Sequence, residues 1–274
     1  MSTTKASGWE LAVRATLGRA TPRVIGSVRE LTWLFYGILL PLLGTTAFVY
    51  VYRALGAPSR YVTYVVMGGA AVAFWMNVLW MMAAQFWWEK RIGNLELYLS
   101  APCGMFPILL GMSLGGIVAT LVRAAAVVTV GVAVFDAHFD LSRLPMLLVV
   151  FVLSLVALYG LGSALASLFL YWGREAYHTI NLFTEPVFLV SGMYFPASTL
   201  GFWGGVGAAV VPLTVALDAL RQLLVAGAHP ALLSLGAEIA LLGAFAVLYP
   251  LVAAWAIRRM EHLARVEGRL SRRN

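Results

Sequence analysis

Residues 106–135 read FPILLGMSLGGIVATLVRAAAVVTVGVAVF, thirty positions with one charge, Arg123. About 20 apolar residues cross a bilayer core as a helix, so this run is a membrane span with length to spare. A helix on the surface of a soluble domain would show a polar face every three or four residues, and this one does not. Working outward, comparable runs lie at 31–52, 61–86, 144–171, 180–197 and 231–257, which makes six expected spans. The whole chain agrees: 61% of its 274 residues are hydrophobic, 11% are charged, and the mean hydropathy is +0.86. Soluble domains keep roughly a quarter of their residues charged. The expected fold is an all-α polytopic membrane protein. No cleavable signal is expected, because the first apolar run, from about Leu31, is too long for one and lacks a small-residue cleavage site.

Lysine and arginine set the orientation. With the N-terminus inside, fourteen basic residues fall on the cytoplasmic side, including Lys5, Lys90, Arg91, Arg174, Arg258 and Arg259. Four fall outside (Arg53, Arg60, Arg143, Arg221). Both termini are therefore expected in the cytoplasm. The net charge of +7 sits mostly at the two ends, and nothing in its pattern points to nucleic acid. Ahead of the first span, Trp9, Val13, Leu17, Ala20, Val24 and Val28 recur at helical spacing, with Arg14, Arg19, Arg23 and Arg29 opposite. That pattern predicts an interfacial amphipathic helix with its arginines toward headgroups, bent at Pro22.

Several chemistries are excluded. The only lysines are Lys5 and Lys90, and neither follows a glycine, so no phosphate loop of the G-x-x-x-x-G-K-[ST] type exists. There is no H-E-x-x-H and no G-x-S-x-G, and Cys103 is the single cysteine. No catalytic residue, metal site or bound cofactor is expected in this chain. Polar groups inside the spans are few. Arg123 shares a helical face with Ser113, Gly116 and Thr120; Glu185 lies above Tyr177 and Asn181; Glu238 lies in the outer part of the last span. Charges at such depth face protein or water, so these residues either line a path or pair as an Arg–Glu bridge. In the second span Gly69, Ala73, Asn77, Met81 and Gln85 form a small and polar stripe suited to helix packing.

Two segments break the apolar pattern in ways a tether does not need. The first is EKRIGNLELYLSAPCG, residues 89–104. Residues 94–101 predict one short helix, with Asn94 as its cap, Glu96 near its positive end and Pro102 past its stop. The second is SGMYFPASTLGFWGGVGAAVVPLTVALDALRQLLVAG, residues 191–227. Pro196, Gly201, Gly204, Gly205 and Gly207 rule out one continuous span and suit a re-entrant pair of short helices on the outer side. Asp218 and Arg221, three apart, are placed to pair on one helical face.

Glu89, Arg91, Gly93, Asn94, Leu95, Glu96, Leu99, Ser100 and Pro102 resemble the first cytoplasmic loop of the type-2 ATP-binding-cassette (ABC) exporter permeases, with Asn94 where Thr is usual. Ser191, Gly192, Tyr194, Phe195, Pro196, Pro212, Leu213, Thr214, Asp218 and Arg221 are similar to the family's last external segment, with Gly201 at a common Pro position and Val211 at a common Asn position. The resemblance spans essentially the whole chain. It implies a "coupling" helix at 94–101 that docks on a separate ATPase subunit, which binds ATP and Mg. It also implies two ATPase copies, a second permease, identical or homologous, and a prokaryotic inner membrane. The expected organisation is an interfacial segment (1–30), a permease domain (31–257) and a basic cytoplasmic tail (258–274). Aromatic residues such as Phe74, Trp75, Trp80 and Phe86 suit a hydrophobic or amphipathic cargo, or a lipid. A lipid-linked polysaccharide is the alternative, and Trp87 and Trp88 read as interface anchors. From a different class, an ion-coupled transporter or channel would use Arg123, Glu185 and Glu238 as a relay and need no ATPase.

Overall fold

The computed structural model describes residues 8–225 and 231–266, and among them the fold is all helix. Helix α1 (Gly8–Arg29) leads into α2 (Leu31–Ala54), then α3 (Arg60–Met76), which continues through a π-helical segment, Asn77–Ala83, into α4 (Gln85–Ile92). The short α5 (Leu95–Ser100) precedes two long helices, α6 (Met105–Phe135) and α7 (Leu144–Trp172). They are followed by α8 (Ala176–Val190), α9 (Gly201–Ala209), α10 (Pro212–Leu224) and α11 (Leu235–Val266).

Among the described residues, five helical stretches are long and apolar enough to cross a membrane: Leu31–Ala54, Arg60–Ala83, Met105–Phe135, Leu144–Phe169 and Leu235–Leu263. α3 is the buried centre, with α2 and α6 against it, and α11 lies along α7. Pro250 in α11 packs on Gly160 of α7, where any larger side chain would collide. α11 runs unbroken past residue 257, and the end of the basic tail, with Arg269, Arg272 and Arg273, lies outside the described residues, as does Lys5.

The segment expected to span at 180–197 is the main departure. Its helix, α8, has 15 residues and stops at Val190, because Gly192 takes φ +71 and turns the chain. Fifteen residues reach about 22 Å, short of a full hydrocarbon core. α8 nevertheless runs from one end of the bundle to the other. Tyr177 at its start packs 5.2 Å from Trp87, whereas the carbonyls of Gly192 and Met193 just past its end meet Arg221, beside Tyr64 at the start of α3.

α9 and α10 are bent by 101° at the break between them. Val211 is extended, as the residue before a proline tends to be, and Pro212 opens α10 at the first helical position. The pair begins just after Pro196 and ends at Leu224, whose carbonyl accepts from the Asp140 backbone N–H in the loop between α6 and α7. Entry and exit therefore lie at the same end of the bundle, the geometry of a re-entrant hairpin.

α1 is one continuous helix through Pro22. It lies against α6, and the contact draws on both expected rows, Ala20 from the apolar one and Arg19 and Arg23 from the basic one. Gly111 and Gly115 of α6 leave a groove filled by Thr16, Arg19, Ala20 and Arg23, while Trp9 (76% exposed) and Leu17 point away. Two glycines four apart let the helix backbones approach closely, and a buried acid behind them, Glu89, draws Arg19 inward. Arg14 and Arg29 stay exposed, so the expected headgroup-facing row of four arginines is divided.

Candidate functional site: the 89–104 loop and its buried carboxylate

The 89–104 island is organised by one side chain. Glu89, on the last turns of α4, is 3% exposed. Its Oε1 accepts from Gln85 Nε2 at 2.9 Å and forms an ion pair with Arg19 of α1. Its Oε2 accepts from Asn94 Nδ2 and from the Tyr98 hydroxyl, each at 2.9 Å. Four donors from four places along the chain satisfy both oxygens, which is what a buried carboxylate requires. Burial, together with the bond to Glu89, pushes the Tyr98 phenol well above its ordinary range. The Arg19 guanidinium also lies 5.3 Å over the Tyr98 ring.

The turn beside it needs its glycine. Gly93 ends α4 in the left-handed conformation at φ +88, and the Asn94 N–H closes back on the Glu89 carbonyl at 2.9 Å. Asn94 does not cap α5 as expected. Its backbone is already helical (φ −77, ψ −18), and no side-chain cap bond forms, because its amide is committed to Glu89.

α5 presents two faces. Leu95 is buried against Phe86, Met105 and Ile108, and Tyr98 and Leu99 pack on the same cluster. Glu96, Leu97 (66% exposed) and, on the turn before, Arg91 and Ile92 (69% exposed) point outward. Arg91 also lies 5.1 Å over the Trp87 ring. Pro102 lies past the end of α5, which finishes at Ser100, with Ala101 already extended. Of the loop residues singled out in the sequence, Glu89 and Asn94 thus form an internal hub, Leu95 and Leu99 anchor the helix, and Arg91 and Glu96 are exposed.

The intramembrane charges do not meet one another. Arg123 packs on Gly37 of α2, and its Nε is buried without a hydrogen-bond partner. Glu185 and Asn181 lie on an exposed face of α8, beside Leu182 and Leu189. Glu238 is fully buried elsewhere, where it accepts from Gln222 Nε2 at 2.9 Å and shares a hydrogen bond with the Asp218 carboxyl. The expected Arg–Glu bridge is not formed. Asn77, in the π-helical segment, donates to the Tyr159 hydroxyl at 2.7 Å. π segments are rare and local, and nothing in the apolar text NVLWMMA announces one.

In the outer segment, Arg221 is 1% exposed and donates to the carbonyls of Gly192 (2.6 Å), Met193 (2.8 Å) and Tyr64 (2.9 Å). Its guanidinium lies 3.3 Å from the Tyr64 ring centre. Asp218 does not pair with it; Asp218 accepts instead from the Leu232 N–H at 2.7 Å. The backbone carbonyls reach Arg221 first because Gly68 leaves them room: a Cβ there would overlap the Met193 carbonyl. Tyr194 stacks on Phe48 at 4.1 Å, Pro196 is buried, and Phe195 is half-buried between them in sequence.

A bundle of apolar helices, a short helix held below it by a buried carboxylate, and a bent helix pair at the opposite end together describe a membrane permease. The family model for the ABC-2 type transporter matches residues 27–225, from the end of α1 through α10. The chain belongs to that family. Its members are the membrane-spanning parts of transporters that work with a partner ATPase subunit. No curated protein matches the chain.

Proposed function

We propose that this chain is the permease subunit of an exporter, moving a hydrophobic or amphipathic small molecule or lipid out across a prokaryotic inner membrane with both termini in the cytoplasm. The work is done by ATP hydrolysis in two copies of a separate ATPase subunit, which hold the ATP and Mg, since this chain has no phosphate loop. The observation that carries this reading is the build of α5. Its outer edge offers Glu96 and Leu97 to a partner, beside Ile92 at the end of α4, while its inner edge is tied through Glu89 to both α4 and α1. A push on the outer edge is thereby delivered to two membrane-associated helices through side-chain bonds.

A second permease, identical or homologous, supports the pathway by covering the α8 face that carries Asn181 and Glu185. A carboxylate left among lipid tails is costly, and a facing protein surface or a water-filled path between the two removes that cost. An apolar crevice of about 520 Å³ between α3, α6, α7 and α10, lined by Phe74, Phe139 and Phe151 among aliphatic side chains, favours a greasy cargo over a glycan.

The test is to purify the tagged chain in mild detergent with whatever ATPase accompanies it, and to compare Leu97→Asp and Glu96→Ala. Both exposed changes are expected to leave the fold intact and to weaken ATPase binding and the permease-dependent part of hydrolysis. Undiminished ATPase binding by both variants, or cargo movement driven by an ion gradient alone, would overturn the reading.

A further inference from the structure

A second cavity, of about 440 Å³, opens at the junction of α1, α2, α4 and α6, and unlike the crevice it is polar and charged. Its wall includes Arg19, Arg23, Arg123, Glu30 and Glu89, with the indoles of Trp33 and Trp88. The balance of charge inside decides what it wants. Arg19 and Glu89 neutralise each other in their ion pair. Glu30 is exposed on the rim. That leaves two guanidinium groups. Arg23 faces Gly115 of α6, and no carboxylate is bonded to it. Its pKa is pushed down chiefly by burial, with Glu89 and Glu30 partly offsetting that and Arg19 and Arg123 adding repulsion. Arg123 lies eight residues further along α6, about 12 Å deeper, with its Nε buried and unbonded.

Two guanidinium groups that line one cavity, neither bonded to a carboxylate and the deeper one with its Nε unbonded, form an unfinished site. Arginine's planar fork is suited to the oxygens of a phosphate or carboxylate, and indoles half-exposed at the mouth (Trp33 58%, Trp88 46%) suit the boundary between headgroup and tail. We propose that this cavity binds the phosphate headgroup of an anionic amphiphile drawn from the cytoplasmic leaflet, with Arg23 and Arg123 holding the phosphate oxygens and Trp33 and Trp88 flanking the first part of its apolar chain. As an entry point for cargo the site rests on the export reading above; binding by itself does not.

The experiment uses the purified full-length chain, with its ATPase where one accompanies it. Native mass spectrometry counts retained lipid after exposure to equal amounts of phosphatidylglycerol and phosphatidylcholine. One phosphatidylglycerol per chain is expected to survive, preferred over phosphatidylcholine by about tenfold. Arg23→Gln and Arg123→Gln are each expected to reduce that preference several-fold, while Arg14→Gln, an exposed arginine on the same helix, leaves it unchanged. Arg123→Lys keeps the buried charge and guards against misfolding; it is expected to hold part of the preference that Arg123→Gln loses. Equal retention of the two lipids, or wild-type retention by folded Arg23→Gln and Arg123→Gln chains, would refute the site. Displacement of the lipid by millimolar inorganic phosphate would overturn the lipid assignment in favour of a soluble anion. Lost lipid preference with ATP-driven export intact would remove the cargo role while leaving the exporter standing.

Discussion

Two buried charges organise opposite ends of this molecule, and they do it differently. Glu89 at the α5 end gathers side chains: Arg19, Gln85, Asn94 and Tyr98. Arg221 at the other end gathers backbone, the carbonyls of Tyr64, Gly192 and Met193. Each satisfies the rule that a buried charge must be bonded. A hub of side chains has rotamers to spare and can exchange partners when a neighbouring helix shifts. A guanidinium clamped on carbonyls from two chain segments cannot exchange anything without moving the chain itself. The Glu89 hub is therefore suited to a moving joint and the Arg221 hub to a fixed hinge pin.

The hardest way to break that comparison is at Arg221. Replacing it with alanine strands three inward-facing carbonyls and opens a hole beside Tyr64. Roughly 3–5 kcal/mol of stability should be lost, the usual cost of removing one side of a buried charged interaction, and no second substitution in a neighbouring side chain should restore it. Carbonyls only accept, so no rearranged partner can serve them. The check is the unfolding temperature of the purified chain in detergent, for Arg221→Ala alone and with Asp218→Asn. Rescue by the second change would mean that Asp218, not the backbone, is the true partner. Gly68→Ala belongs to the same hub: its Cβ would strike the Met193 carbonyl and should lower the unfolding temperature by a comparable route.

Glu89 should answer differently. Glu89→Ala leaves the half-buried Arg19 without its acid and is expected to cost about 2 kcal/mol, less than a fully buried pair because Arg19 keeps some access to solvent. The charge-reversed pair Arg19→Glu with Glu89→Arg should recover a good part of this, because the amides of Gln85 and Asn94 and the Tyr98 hydroxyl can turn to accept instead of donate. A double-mutant cycle on the unfolding temperature measures the coupling directly. A swapped protein no more stable than Glu89→Ala would show that the inner hub is as rigid as the outer one, and the contrast between the two ends would fall.

How far the amino-acid text foretold these hubs depended on distance along the chain. Long apolar runs such as 106–135 and 144–171 gave their helices to within a residue or two, since nothing but a helix satisfies the backbone in lipid. The short α5, expected at 94–101 and found at Leu95–Ser100, was also legible, because Pro102 marks its stop locally; the left-handed turn at Gly93 was not foreseen. The face of α1 was not. Its periodicity allowed either side to be buried, and the deciding features, Gly111, Gly115 and Glu89, lie some 70 to 100 residues away. Two small residues four apart in α6 were the available sign of a close helix contact. The pairing of Asp218 with Arg221 failed for the same reason: spacing along one helix reports which groups can meet, but not that backbone from α3 and the 192–193 turn reaches Arg221 first.

Asn94 offers the smallest and finest test, because sequence and structure assign it different jobs. As a helix cap, its loss would fray α5 whatever stood at position 89. As a donor to Glu89, its loss removes one of four bonds and should cost about 1 kcal/mol. Asn94→Ala should then depend on the carboxylate, costing that amount beside Glu89 and far less once Glu89 is already alanine. The two effects would add if Asn94 were a cap. Unfolding temperatures of the two single variants and the double variant separate the cases. A non-additive result ties the turn after Gly93 to the buried carboxylate, and with it the short helix to α1, so that a force on α5 reaches α1 through a chain of named bonds.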